Sequence, residues 1–188
     1  MTYVIDTSAP RWFVAVIEDG GRGRTLIEST ERPDLPEIFR DLERPTRIAV
    51  ATGPGSFTGL RVGVSFGLGL AIGLRIPIVP LPSLDLQRAR STVPATAVLE
   101  AGRGRVYYQL PGSTPMLGEP ADVPVGHPLV GNVSPKMEAA LVAARHRFVP
   151  ADDLRDFAEA AGKLLETARE VPYRSLEIEY MQNFSPRR

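Results

Sequence analysis

The sequence predicts an α/β protein built as two lobes, and three observations support this prediction. Short apolar runs that end at turn residues, as strands do, open each half of the chain. Apolar positions recur at helical spacing later in each half, over residues 57–74 and 152–170. Between the halves, residues 91–95 (STVPA) have the composition of a domain boundary. We therefore expect a first lobe over residues 1–95 and a second over 96–188.

Each element is predicted from a local pattern. The first lobe is predicted to hold strands at residues 3–5, 12–17, 25–29, 47–51 and 76–79, and helices at 35–42, 57–74 and 83–90. Prolines between residues 31 and 45 leave room for only a short first helix, and Ser83 is predicted to cap the third. The second lobe is predicted to hold strands at 96–99 and 106–110, an irregular segment with short strands at 111–132, helices at 134–145 and 152–170, and an extended polar tail.

Composition limits the function classes open to this chain. Lys plus Arg and Asp plus Glu each number 22, so the chain has no general attraction for RNA or membranes, and the basic end at residues 186–188 is interpreted as a solvated terminus. The absence of cysteine excludes disulfides, a thiol nucleophile and cysteine-ligated zinc. No signal-peptide pattern opens the chain, and the longest apolar stretch, the thirteen residues between Arg61 and Arg75, is too short to span a bilayer. We expect a cytoplasmic protein.

The motif GPGSFTGLRVG, residues 53–63, follows a predicted buried strand and begins a predicted helix. A Walker A loop places lysine after its last glycine, whereas Leu60 follows Gly59 here. A dinucleotide fingerprint has glycines at its first, third and sixth positions, whereas this motif has them at the first, third and seventh. The motif therefore matches neither of these two common nucleotide-binding loops. The helix start can still bind an anion through free N–H groups, or Ser56 can cap it.

Small residues recur every four positions along this predicted helix, at Gly59, Gly63, Gly67 and Ala71. Each helical glycine costs about 1 kcal/mol relative to alanine, so close packing must offset the cost. Because the other positions are apolar nearly all round, we expect the helix to be covered on more than one side. One alternative is a helix buried wholly within its own lobe. The other, which we favour, is a helix that also contacts a partner subunit.

Asp6-Thr7-Ser8 ends the first predicted strand and offers one carboxylate and two hydroxyls. Such a turn can hold a metal-bound water and a phosphate, or it can be an ordinary turn closed by its own side chains, which the local sequence favours. His127 and His146 have no acidic or histidine neighbour at ligand spacing, so a histidine-based zinc site is not expected. No nucleophile elbow and no paired general acid and base is evident.

Four segments together resemble the TsaB (YeaZ) family. They are Asp6-Thr7-Ser8, the glycine motif, Pro80-Leu81-Pro82-Ser83-Leu84, and the run from Glu100 to Tyr107. The resemblance is strongest over residues 3–17 and 47–107. It implies an actin-like, ribonuclease H-like two-lobed α/β fold of the ASKHA superfamily, which includes sugar kinases and actin-like ATPases.

The resemblance implies a function without catalysis by this chain. TsaB-like proteins bind the catalytic subunit TsaD. With the ATPase TsaE they support transfer of a threonylcarbamoyl group from its adenylate to the adenosine next to the anticodon of tRNA. The chain is thus expected to have no catalytic residue and no metal site, to require no cofactor, and to bind ATP or ADP weakly at most. It is expected to meet TsaE and tRNA only through the complex, to contact no membrane, and to form a homodimer when TsaD is absent.

The resemblance also assigns roles to residues. Asp6, Thr7 and Ser8 are expected to form a degenerate phosphate-binding turn, and the helix that carries the glycine motif is expected at the partner interface. The expected interface residues are Gly55, Ser56, Phe57, Thr58, Gly59, Arg61, Gly63, Gly67 and Ala71. In this interpretation the glycines let a partner helix pack closely, and Gly63→Leu should prevent assembly while leaving the monomer folded.

The chain also departs from the family pattern. Residues 31–45 form a short proline-rich linker where the family has a longer helical segment, and Glu100, Gly102 and Arg105 stand where Asp, Arg and Glu are usual. From the residues alone, Glu100 is interpreted as part of an ion-paired turn with Arg103 and Arg105. Two other functions stay open. One is an active kinase or ATPase of the same superfamily, and the other is a glycoprotease-like metallopeptidase, which the lack of histidine ligands weakens.

Overall fold

The computed structural model describes residues 1–181, and the strands within that range form two sheets. The basic end at residues 186–188 lies outside the described residues. The first sheet has the order β3-β2-β1-β4-β5 and consists of β1 (Thr2–Asp6), β2 (Trp12–Ile17), β3 (Gly23–Ser29), β4 (Arg47–Gly53) and β5 (Ile78–Pro82). The second has the order β8-β7-β6-β9 and consists of β6 (Thr96–Glu100), β7 (Val106–Gln109), β8 (Met116–Gly118) and β9 (Leu129–Asn132).

Helices cover both faces of the first sheet. The helices of the described residues are α1 (Leu35–Phe39), α2 (Phe57–Leu74), α3 (Ser83–Arg90), α4 (Pro135–Ala143) and α5 (Phe157–Leu165), of which α4 packs against the second sheet. α2 packs against the face that carries Tyr3 and Ile5, while α3 and α5 pack against the opposite face, which carries Val4 and Phe13. α3 also contacts β6 and β9, so it lies between the two sheets.

β1 lies between β2 and β4, antiparallel to the first and parallel to the second. Because both faces of the sheet are covered, all five residues of β1 are buried. Successive side chains point to opposite faces, so Ile5 faces α2 while Asp6 faces the side that α3 and α5 cover. α2 follows directly on β4, and this connection brings the beginning of α2 beside the end of β1.

The last helix is shorter than predicted at both ends. We expected it over residues 152–170, whereas α5 begins at Phe157 because the Asp156 carboxylate caps it, accepting a hydrogen bond from the Glu159 N–H at 2.7 Å. The residue before the cap is engaged elsewhere, since the Arg155 N–H donates to the Arg90 carbonyl at 2.7 Å. Apolar residues therefore recur at helical spacing over a longer stretch than the one that forms the helix.

Two predicted positions near β5 are also corrected. Ser83 does not cap α3. Pro82 holds the cap position, and the Ser83 hydroxyl accepts a hydrogen bond from the Gly53 N–H at 3.0 Å. β5 begins at Ile78 rather than at residue 76, because Ile76 closes the end of α2 with a backbone hydrogen bond to the Ala71 carbonyl at 3.0 Å.

The end of the described chain returns to the first sheet as a mostly extended segment, residues 171–181, which we call the strap. The Val171 N–H donates to the Ile78 carbonyl at 3.0 Å, and the Glu179 N–H donates to the Thr52 carbonyl at 2.8 Å. α5 packs on the same sheet. Segments that follow residue 96 in sequence thus also pack on the first sheet. The boundary between the two lobes at residues 95 and 96 stays a prediction.

Candidate functional site

The glycine motif packs against the turn that follows β1. A β-carbon at Gly55 would overlap the Ser8 carbonyl oxygen, and one at Gly59 would overlap the Thr7 carbonyl oxygen. A β-carbon at Gly63 would overlap the Thr7 hydroxyl. The three glycines therefore leave the space that the turn occupies, which is a packing role within the chain.

Hydrogen bonds hold the same turn against α2. The Thr7 hydroxyl donates to the Gly59 carbonyl at 2.6 Å, and the Ser56 N–H donates to the Ser8 carbonyl at 2.6 Å. The Ser8 N–H and hydroxyl both donate to one oxygen of Asp6, at 2.8 and 2.6 Å. Both hydroxyls that were predicted to hold phosphate are thus hydrogen-bonded inside the chain. Ser56 caps α2 as predicted, because its hydroxyl accepts a hydrogen bond from the Gly59 N–H at 3.3 Å.

The Asp6 carboxylate is buried beneath the turn. Its side chain is fully buried, and its second oxygen has no hydrogen-bond partner among the described residues. Burial raises the pKa of Asp6 above its ordinary value, against the opposing effects of the Ser8 hydrogen bonds and the Arg90 charge. The carboxylate of the predicted phosphate-binding turn is therefore withdrawn from solvent.

A cavity of about 610 Å³ lies between the two sheets, beside this turn. The residues that line it include the aromatic residues Trp12, Phe57, Tyr107 and Tyr180, the acidic residues Glu100 and Glu179, and the basic residue Arg32. With two acidic residues and one basic residue, the lining has no excess of positive charge that would attract a polyphosphate. The residues of the cavity therefore give a nucleoside triphosphate no charge complementarity.

Glu100 does not take part in the predicted ion-paired turn. Its carboxylate accepts a hydrogen bond from the Ser134 N–H at 2.9 Å, which ties the end of β6 to the residue that caps α4. Within residues 1–181, neither Arg103 nor Arg105 forms a salt bridge with it. The predicted ion pairing is therefore wrong.

The row of small residues on α2 faces the chain's own sheet. A β-carbon at Gly67 would overlap the Val50 side chain, and Ala71 is fully buried in the same core. The expectation that Gly59, Gly63, Gly67 and Ala71 pack against a partner is therefore wrong, because the first sheet and its turn already cover them. Gly63→Leu would disturb the fold of the monomer, so it is not the selective interface test that we expected.

The opposite side of α2 is exposed and carries little charge. Its residues are Thr58, Arg61, Val62, Ser65, Gly69, Ile72 and Gly73, which we call the outer face. Ile72 is 51% exposed and Val62 is 39% exposed, and β-carbons at Gly69 and Gly73 would meet no described heavy atom within 4 Å. Arg61 is the single charged residue in the sequence of α2. Exposed apolar side chains that lie beside glycines on one side of a helix are typical of a subunit contact.

The predicted interface thus coincides with the outer face only in part. Phe57, Thr58 and Arg61 lie on or beside it and are exposed. The rest of the outer face was not predicted, although Gly69 and Gly73, four residues apart, carried a signal for it.

By length and composition, α2 meets the criteria for a helix that crosses a membrane, with 18 residues and a mean hydropathy of 1.5. The sequence-based expectation differs because it counted only the stretch after Arg61. One such helix is weak evidence for a span, since the core helices of soluble proteins pass the same test. One third of the residues of α2 (33%) are buried inside the structure, and the others are partly or fully exposed.

Comparison with known proteins connects this geometry to a family. A family model described as "TsaD: tRNA N6-adenosine threonylcarbamoyltransferase" matches residues 38–133, about half of the chain. The tRNA threonylcarbamoyladenosine biosynthesis protein TsaB of Haemophilus influenzae is 35% identical over 122 residues, which make up 55% of this chain and 50% of that protein. The protein of the same name from Escherichia coli is 33% identical over 119 residues, 55% of this chain and 52% of that protein. The chain spans about half the length of these relatives.

The fold is matched over nearly the whole chain. YeaZ from Pseudomonas aeruginosa superposes with a TM-score of 0.70 at 19% identity, covering 96% of this chain and 99% of that one. This likeness, together with the two mixed sheets, confirms the actin-like two-lobed α/β fold that was predicted from the sequence. With the family-model match over about half of its length and the identity to TsaB proteins, the chain belongs to the TsaB (YeaZ) family.

Proposed function

We propose that this chain is a non-catalytic TsaB-type subunit that binds a TsaD-type subunit and supports threonylcarbamoylation of the tRNA adenosine next to the anticodon. Its relatives are named for threonylcarbamoyladenosine biosynthesis, and the matching family model is named for the transferase. We place the chain in the cytoplasm, where it meets a TsaE-like ATPase and tRNA only through the complex. It forms a homodimer when the TsaD-type subunit is absent.

One observation carries the non-catalytic part of this proposal. In the turn after β1, the hydroxyls of Thr7 and Ser8 hydrogen-bond within the chain, and Asp6 is buried. A catalytic phosphate site needs such groups free to contact phosphate or a metal-bound water. Here they hold the beginning of α2 in place. The chain therefore requires no cofactor, and ATP or ADP binds weakly at most.

The outer face of α2 supports the partner-binding part. Val62 and Ile72 leave apolar area in water, and burying such area is favourable by roughly 25 cal/mol per Å². Gly69 and Gly73 let another backbone approach closely. The family model that matches residues 38–133 describes TsaD, so a TsaD-type subunit is expected to carry a helix equivalent to α2. Equivalent faces of the two subunits can then pair about an approximate two-fold axis.

Reconstitution tests this function against an active kinase or ATPase. With TsaD-type and TsaE-type subunits of the same organism, product formation on tRNA should require this chain, while the isolated chain should hydrolyse no ATP above background. Asp6→Asn is the matched variant, because asparagine keeps an acceptor for the Ser8 hydrogen bonds, and it should leave product formation unchanged. ATP turnover by the isolated chain that Asp6→Asn abolishes would establish the kinase or ATPase instead.

A further inference from the structure

The strap ends against the beginning of α2. The Tyr180 and Phe57 ring centroids lie 5.2 Å apart, and the Arg61 Nε–H donates to the Tyr180 hydroxyl at 3.4 Å. The Arg61 guanidinium also lies 3.9 Å from the centroid of the Phe57 ring. These three side chains, which we call the Tyr180 cluster, join segments that are 119 residues apart in sequence.

The cluster is exposed although its members hold one another in place. Phe57 is 37% exposed and Tyr180 is 40% exposed. The backbone just before Tyr180 is fixed by the hydrogen bond from the Glu179 N–H to the Thr52 carbonyl. Side chains fixed in this way lose little further freedom on binding, which lowers the entropic cost of a contact made through them. Tyr and Arg are also the residue types that dominate binding energy at interfaces.

The Tyr180 cluster and α1 flank the outer face on opposite edges. Phe66 contacts Phe39 of α1, with ring centroids 5.5 Å apart. Phe57 and Phe66 are nine positions apart, about two and a half helical turns, so they project on opposite sides of α2. The outer face therefore runs between α1 and the strap.

The outer face alone is too small for a stable complex. It contributes seven residues, whereas a specific interface takes about 20–30 residues from each partner. The strap adjoins the outer face at the Tyr180 cluster. Among the described residues, four of the seven exposed large hydrophobic side chains lie on α2 and the strap, namely Phe57, Val62, Ile72 and Tyr180, while the other three are valines elsewhere in the chain. An interface on the outer face that reaches the size of a specific contact would extend over the strap.

We propose that the strap forms part of the docking surface for the TsaD-type subunit, with Tyr180 as an anchor beside the outer face. This inference rests on the proposed function and adds a second segment to its interface. The family model that matches residues 38–133, a range that includes all of α2, describes TsaD, so a TsaD-type subunit is expected to present an equivalent helix to this surface. The occupant is therefore a TsaD-type subunit that presents its own apolar helix to the outer face and the strap.

Calorimetric titration with the TsaD-type subunit tests the role of Tyr180. Tyr180→Ala should raise the Kd about tenfold or more, the loss typical of an aromatic anchor. Tyr180→Phe keeps the ring and should bind within about threefold of wild type, since the hydroxyl contact at 3.4 Å is long. Val125→Ala truncates a side chain that is 63% exposed and lies outside α2 and the strap, and it should not change the Kd.

A variant of the outer face separates failure of this inference from failure of the proposed function. Ile72→Arg should abolish binding if the outer face docks. If Ile72→Arg abolishes binding while Tyr180→Ala leaves the Kd unchanged, the strap is not part of the interface and only this inference fails. If neither variant weakens binding, the proposed interface fails as well.

Hydrogen exchange on the wild-type chain tests the inference without any substitution. Residues 176–181 should gain protection when the TsaD-type subunit binds, and unchanged exchange there would overturn the inference. Sedimentation of the chain alone tests whether the strap instead contacts a second copy of this chain. If Tyr180→Ala weakens self-association but leaves binding to the TsaD-type subunit intact, the strap serves a second copy and the inference is wrong.

Discussion

Alanine at two glycines of α2 should change stability in opposite directions. Gly59 and Gly69 both lie within the helix, so alanine at either position gains up to about 1 kcal/mol of helix propensity. At Gly69 the new methyl group meets no described heavy atom within 4 Å, so the gain should be realised. At Gly59 the methyl group would overlap the Thr7 carbonyl oxygen, which belongs to the backbone and cannot rotate away.

The cost at Gly59 follows from the contacts there. Moving α2 away from the turn costs about 1–3 kcal/mol, as overpacking does. It also stretches two hydrogen bonds of 2.6 Å, from the Thr7 hydroxyl to Gly59 and from the Ser56 N–H to Ser8, each worth about 0.5–1.5 kcal/mol. Allowing for the propensity gain, Gly59→Ala should lose about 1–5 kcal/mol, whereas Gly69→Ala should gain about 0.5–1 kcal/mol.

Urea unfolding, followed by the fluorescence of the single tryptophan, Trp12, measures both free energies. In thermal melts, 1 kcal/mol corresponds to a Tm shift of about 2–4 °C for a chain of this size. Gly69→Ala is the matched control, since it makes the same chemical change further along the same helix. A Gly59→Ala protein as stable as wild type would refute the reasoning that the glycine motif makes room for the turn.

Three further changes have definite expected outcomes. Burial raises the pKa of Asp6, so the protonated side chain stabilises the folded state at pH values below the ordinary pKa of 3.8. This stabilisation is lost as the pH rises through the raised pKa. Asp6→Asn should therefore stabilise the chain at neutral pH, and a gain that grows on acidification would contradict this. Asn132→Ala removes two hydrogen bonds to the Arg11 backbone, at 2.5 and 3.2 Å, so it should cost about 1–3 kcal/mol in urea titrations and increase acrylamide quenching of Trp12; unchanged quenching would show that this contact does not hold the two sheets together. Asp156→Ala removes the cap of α5 and should lower the free energy of unfolding by about 0.5–2 kcal/mol, while Asp156→Asn, which keeps an acceptor, should not; equal losses would exclude capping as the cause.

Much of the fold was predictable because its signals are local. α2 begins and ends where the sequence predicts, since Ser56 caps it and small and apolar residues continue without a break to Leu74. β2 matches its predicted range for a similar reason, because its apolar run is bounded by turn residues. The beginning of α5 was not predictable from spacing, since the residue before its cap, Arg155, is held by a contact with the end of α3.

The candidate site was predictable only in part. Small residues every four positions correctly indicated a close approach to α2, but spacing does not reveal which backbone approaches. The approaching turn is distant in sequence, since Thr7 lies 52 residues before Gly59, and Tyr180 lies 119 residues after Arg61. The outer face was missed because the row that the first sheet covers has the stronger pattern. Contacts between distant segments therefore decide which side of α2 is free to bind a partner.

Sedimentation velocity of the chain mixed with a TsaD-type subunit tests most directly whether the outer face of α2 is where this protein acts. Ile72→Arg places a charge on that face, and Val142→Arg places the same charge on α4, at a side chain that is 55% exposed. Wild type and Val142→Arg should sediment with the TsaD-type subunit as one complex, whereas Ile72→Arg should sediment separately. Co-sedimentation of Ile72→Arg to the same extent as wild type would contradict the proposed function.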